Sequence, residues 1–220
     1  MKTIDRLLSA SQSVWDTYHQ HPFVLGLQNG TLDQAKFRHY ILQDYLYLIE
    51  YAKVFAIGIT KARSLPVMQL FSSYIQSIVH SEMTTHTGYM EKLDISYEEL
   101  NRTPVALSNR SYTAYMQQMA YEGGEAEALT AILSCAYSYE AIGRTIVREN
   151  PDAANHPLYG DWVQYYSGDK YHQDNLRLLD MLEMLTKDYT QQQLCHLEDI
   201  FVTCSRYESE FWDMAWARSF

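Results

Sequence analysis

The chain has 220 residues, enough for one large domain able to bury roughly 70% of its unfolded surface without a disulfide or metal staple. Seventeen Lys and Arg against 27 Asp and Glu leave a net charge of −10, which repels phosphate backbones and anionic lipid and sets nucleic-acid and membrane partners aside. With 47% hydrophobic and 20% charged residues the chain is not disordered, and 19 Tyr beside 7 Phe predict rings that present a hydroxyl to a partner.

The opening MKTIDRLLSASQSVW has too short an apolar stretch for a signal peptide and no small-residue cleavage pattern. No stretch approaches the roughly 18 apolar residues of a membrane span. Cys135, Cys195 and Cys204 are odd in number and lack metal-ligand spacing, which suits a reducing compartment. A cytoplasmic protein is the expectation.

Spacings of three and four recur along the chain, while strand-length alternation is absent. The reading is all-α. Helices are predicted from Ile4 to His19, Thr31 to Ala62, Pro66 to Met90, Ser108 to Tyr121, Glu125 to Glu149, His156 to Tyr166, Gly168 to Leu185 and Thr190 to Ala217. Asn29-Gly30 reads as a turn with Thr31 as the following cap, Gly123-Gly124 as a helix end, and Asn150-Pro151 as a stop. Long helices with short connections imply one helical bundle, a single domain over 1–220.

Three apolar stripes contain a residue of another kind. The second helix reads Phe37, Ile41, Asp44, Leu48, Tyr51, Phe55, in steps of four and three. The fifth reads Ala128, Ile132, Cys135, Tyr139, Ile142, Ile146, with Cys135 and Tyr139 one turn apart. The last reads Leu194, Leu197, Phe201, Cys204, Glu208, Phe211, Ala215. Asp44, Cys135 and Glu208 therefore face inward from three helices. Each alone has an ordinary structural reading: an inert buried thiol, or a carboxylate paired within the core. No Lys or Arg falls on these parts of the stripes, so a pocket whose substrate supplies the missing donors explains both carboxylates together. Cys195 and Cys204 read as structural.

His21-Pro22-Phe23, Phe37-x-x-Tyr40-x-x-Gln43-Asp44-Tyr45-x-Tyr47-Leu48, Cys135-x-x-x-Tyr139 and Ser205-Arg206-Tyr207-Glu208-x-x-Phe211-Trp212-x-Met214-Ala215 resemble, in that order, the TenA family of thiaminase II or aminopyrimidine aminohydrolase enzymes. The resemblance implies a heme-oxygenase-like bundle without heme, assembled as a homotetramer. It implies hydrolysis of thiamin-related aminopyrimidines at the methylene carbon, notably aminomethyl-aminopyrimidine to hydroxymethylpyrimidine, for salvage. On that likeness Cys135 matches the nucleophile, Glu208 the proton-transferring carboxylate and Asp44 the residue that binds the aminopyrimidine edge. Tyr47, Tyr112, Tyr139 and Tyr166 match the pocket aromatics, with Tyr165 a rival to Tyr166.

The residue types suit that chemistry: a carboxylate for the amine edge, aromatic walls for the ring, and a thiolate whose addition breaks aromaticity so that the substituent can leave. It needs neither metal nor other cofactor. Two rivals share the bundle: a metal-dependent oxidase and a non-catalytic pyrimidine-binding protein. A di-iron site wants two Glu-x-x-His pairs, and the sequence has none. Glu82 and His86, four apart, form with His80 the nearest approach, and read as a solvated or locally paired cluster.

Overall fold

In the computed structural model, which describes all 220 residues, eleven α-helices and no strand make up the chain. They are α1 (Thr3–Tyr18), α2 (Pro22–Asn29), α3 (Gln34–Lys61), α4 (Leu65–Ser77), α5 (Met83–Lys92) and α6 (Tyr97–Arg102). The rest are α7 (Leu107–Glu122), α8 (Glu125–Glu149), α9 (Gly160–Ser167), α10 (Asp169–Thr186) and α11 (Gln191–Ala217). The all-helical expectation holds. Differences fall where local signals are short or displaced. Gly30, left-handed at φ 67°, caps a short α2 that the sequence reading left out, and Asp33 rather than Thr31 caps α3 by accepting from Ala35 and Lys36 N–H. The predicted helix from Pro66 to Met90 is interrupted by a π turn, Ile78–Glu82, between α4 and α5.

The core is one continuous cluster of 55 buried hydrophobic residues. Helix α8 runs through its middle: sixteen of its 25 residues are buried, so it is covered on all sides, by α3, α7, α9, α10 and α11. Small residues permit this. A methyl group on Gly143 would stand 2.8 Å from the Tyr166 carbonyl carbon, so α9 reaches α8 only because no Cβ is there.

Tyrosine hydroxyls tie the helices together, which answers the skewed composition. Tyr18 donates to the Ser205 carbonyl (2.6 Å) and Tyr51 to that of Ile132 (3.1 Å), while Tyr89 accepts from the Trp162 N–H (2.7 Å). A phenol adds one directional bond to an otherwise apolar contact and so fixes which helix turns meet.

Candidate active site

Asp44, Tyr47, Tyr112, Cys135, Tyr139, Tyr166 and Glu208 come from α3, α7, α8, α9 and α11, and all are buried. The α3, α8 and α11 stripes converge as their periodicity implies. Tyr47 packs on Tyr112 with centroids 5.3 Å apart and meets Phe211 edge-on at 5.6 Å. On the opposite side Tyr139 lies 4.8 Å from Tyr166 and 5.3 Å from Trp212. Tyr112 is further held by its hydroxyl, 3.3 Å from Ser134 Oγ.

Glu208 is 1% exposed, and burial followed by the charge of Asp44 pushes its carboxyl up to about 8, against the smaller downward pull of the Tyr112 and Tyr139 hydroxyls. At neutral pH it holds a proton. The Cys135 thiol is pushed well up, first by burial and next by the charge of Glu208. The Tyr47 hydroxyl, 3.6 Å from Met116 Sδ, also faces the thiol and favours its ionised form. Carboxylates dominate the charges around this sulfur, so the resting nucleophile is a thiol whose proton needs a carrier.

The Asp44 environment corrects the sequence reading. Its donor is not left to a substrate: His86 Nε2 stands 2.6 Å from Asp44 Oδ2, both side chains being almost wholly buried. His86 Nδ1 lies 3.0 Å from the Glu82 backbone carbonyl. Burial lowers the His86 pKa, but the hydrogen bond and charge of Asp44 raise it more, with a net upward shift. Of the expected solvated cluster only His80 is exposed. The Glu82 carboxyl accepts from the Tyr166 hydroxyl at 3.0 Å and is pushed up to about 7, by burial first and also by Asp44, with His86 and Tyr166 opposing. Glu82 and His86 are the two residues that sequence reasoning misplaced. The signal was their spacing of four after Ile78, a face hidden by the π turn.

Beyond Glu82 opens a cavity of about 40 Å³, lined by Tyr51, Tyr165, Tyr171, Ala136 and residues of α4 and α10. Tyr166 belongs to the inner site, against Tyr139 and Trp162, while its neighbour Tyr165 lines this outer cavity. Cys204 is buried among apolar residues, its thiol pushed up by burial, and Cys195 is exposed on the far side of α11. No group of three or more His, Cys, Asp or Glu side chains is spaced to hold a metal ion. No helix is long and apolar enough to cross a membrane.

The arrangement can clamp a flat heteroaromatic ring between phenols, hold one edge with a carboxylate and offer a thiol and a protonated carboxyl to its face. Comparison with known proteins agrees. The TENA/THI-4/PQQC family model matches residues 8–218. An aminopyrimidine aminohydrolase of Helicobacter pylori is 41% identical, covering 98% of this chain and 99% of that one. The solved TenA homologue protein from P. horikoshii superposes with a TM-score of 0.89 at 30% identity, covering 99% of both chains. A Shewanella denitrificans domain of heme oxygenase-like fold superposes at 0.75 with 13% identity over 98% of this chain and 92% of that one, a likeness of fold alone.

Proposed function

Because the chain belongs to the TENA/THI-4/PQQC family, we propose that it is an aminopyrimidine aminohydrolase of the thiaminase II type. In this reading it hydrolyses thiamin-related aminopyrimidines at the methylene carbon, converting aminomethyl-aminopyrimidine to hydroxymethylpyrimidine and thiamin to hydroxymethylpyrimidine plus thiazole, in thiamin salvage. The observation that carries it is the burial of Cys135 beside a protonated Glu208 in one aromatic-walled site with Asp44.

Asp44 Oδ2 is held by His86, and Oδ1 is left to accept from the exocyclic amine of the ring. Tyr139 and Tyr47 line the two sides of the ring site. Cys135 adds to a ring carbon, and its proton, relayed through Glu208, goes to a ring nitrogen. A carboxyl with a pKa near 8 gives and takes protons readily at neutral pH. With aromaticity broken, the substituent leaves from the methylene with its bonding pair. Water adds to that carbon, Glu208 recovers the ring proton, and the departing thiolate restores the aromatic ring.

Product release from aminomethyl-aminopyrimidine and from thiamin, measured side by side, tests the reading. Cys135→Ser should fold, still bind hydroxymethylpyrimidine and lose turnover by several orders of magnitude. Alkylation should be slowed by that ligand at Cys135 while remaining fast at exposed Cys195. Binding without any wild-type turnover would leave a pyrimidine-binding protein instead. The reading extends to a single domain over 1–220 working as a cytoplasmic homotetramer. Exposed Leu65, Leu107 and Met184 offer apolar surface for assembly, which light scattering of the purified protein would test.

A further inference from the structure

Ring recognition and proton transfer leave unused the half-buried Glu82 at the edge of the ring site. We propose that Glu82 recognises the departing amine: its carboxylate pairs with the ammonium of an aminomethyl substituent and so favours amine-bearing pyrimidines over thiamin. This rests on the hydrolase reading above and adds to it the residue that reads the leaving group.

Three observations converge on Glu82. The first is position. In a pyrimidine carrying an exocyclic amine and an aminomethyl group on adjacent carbons, a carboxylate that holds the amine has the methylene substituent as its next neighbour. The Glu82 carboxyl is near enough to feel the charge of Asp44 and is bonded to Tyr166 of the ring site, one helical turn before the His86 that grips Asp44. The second is unused bonding capacity. One Glu82 oxygen accepts from Tyr166 at 3.0 Å, and the other has no partner in the chain. The only other carboxylate on the cavity lining, Asp174, is already paired with Lys170 at 2.8 Å. A half-buried carboxylate without a cationic partner is partly desolvated at a cost, and a bound ammonium supplies that partner.

The third is size. One water needs about 10–15 Å³ of such room, so a cavity of about 40 Å³ takes an ammonia-sized group with a water or two and crowds a substituted thiazole. The step balances. The carbon–nitrogen bond of the ammonium substituent breaks and its electron pair leaves with nitrogen as ammonia, while electrons from the ring adduct form the exocyclic double bond. Water adds to the methylene, and the proton it sheds converts ammonia to ammonium.

The test separates this role from a structural one and from the hydrolase reading itself. In a Cys135→Ser background, calorimetry should show Glu82→Gln weakening aminomethyl-aminopyrimidine binding at least tenfold, while hydroxymethylpyrimidine changes less than threefold. In the active enzyme the same substitution should lower the ratio of kcat/KM for the amine to that for thiamin. Equal loss for amine and alcohol, or no loss for the amine, would overturn the proposal. If Glu82→Gln does not fold, Glu82→Asp must weaken the amine more than the alcohol, and equal effects would count against it. Wild-type protein that turns over neither substrate would instead sink the hydrolase reading.

Discussion

His86 stands between two oxygen groups: the Glu82 carbonyl at Nδ1, 3.0 Å away, and the Asp44 carboxyl at Nε2, 2.6 Å away. A ring that donates at both nitrogens satisfies both, in keeping with the upward shift that the Asp44 bond gives His86 against burial, and ties the two side chains together in the core. Removing one partner of such a pair typically costs about 3–5 kcal/mol. His86→Ala should lower stability by that order in denaturant unfolding. His86→Gln, which can keep an N–H toward Asp44, should fold better yet bind hydroxymethylpyrimidine roughly tenfold or more weakly, since the carboxylate loses its fixed orientation. Full ligand affinity in His86→Gln would show that Asp44 positions itself.

Helix packing decides which side chains meet. Gly143 is the point where α8 admits α9, and a Cβ there would meet Tyr166 and Ser167 main-chain atoms at 2.8–2.9 Å. Gly143→Ala improves helix propensity by up to about 1 kcal/mol. It also forces α9 outward, and overpacking of this kind costs about 1–3 kcal/mol. The expected result is a net loss of stability with KM raised several-fold, because Tyr166 moves off Tyr139. Thermal unfolding and steady-state kinetics check it. The same scale explains what the sequence showed. Asp44, Cys135 and Glu208 were legible because α3, α8 and α11 are long, regular helices whose spacing maps directly onto direction. Glu82 and His86 were not, because five residues of π geometry shift the facing of everything after them. Helices of six and eight residues, α6 and α2, are too short for periodicity to register.

Across the whole molecule, an interior short of cations makes stability fall with rising pH. The Glu208 and Glu82 carboxyls are pushed up to about 8 and about 7, and the His86 pKa is raised, so the folded state keeps protons that the unfolded chain gives up earlier. For the two acids, stability declines from about pH 4.5 to their folded values. For His86 the contribution is complete below about 6.5 and is lost as pH rises through its folded value. On the acid side Glu50 and Glu99, held down chiefly by bonds to Lys53 and Arg38, lose their contribution as pH falls through their folded values. The two acids alone should make urea unfolding show roughly 5 kcal/mol more stability at pH 5.5 than at pH 8.5, offset in part by His19, His21 and His39, whose pKa values burial lowers. Glu208→Gln should flatten that slope and raise the alkaline midpoint while abolishing turnover, as expected where activity is kept at the expense of stability. An unchanged slope would place Glu208 in a wetter setting than its burial implies.

A π turn is an α-helix carrying one residue more than its hydrogen-bond ladder needs, so Ile78–Glu82 holds one surplus residue within the α4–α5 rod. Deleting that surplus residue would restore a regular helix and leave His86 facing as it does, whereas deleting one from the regular part of α4 turns all that follows by about 100° around the helix axis. In that second case Glu82 and His86 would leave the site together with no codon of theirs altered. For descendants of such a chain, a gap within Leu65–Ser77 is a coarser and quicker route to a different leaving group than any substitution. Helix length, a character that percentage identity does not weigh, becomes the trait by which branches with different substrates would be sorted.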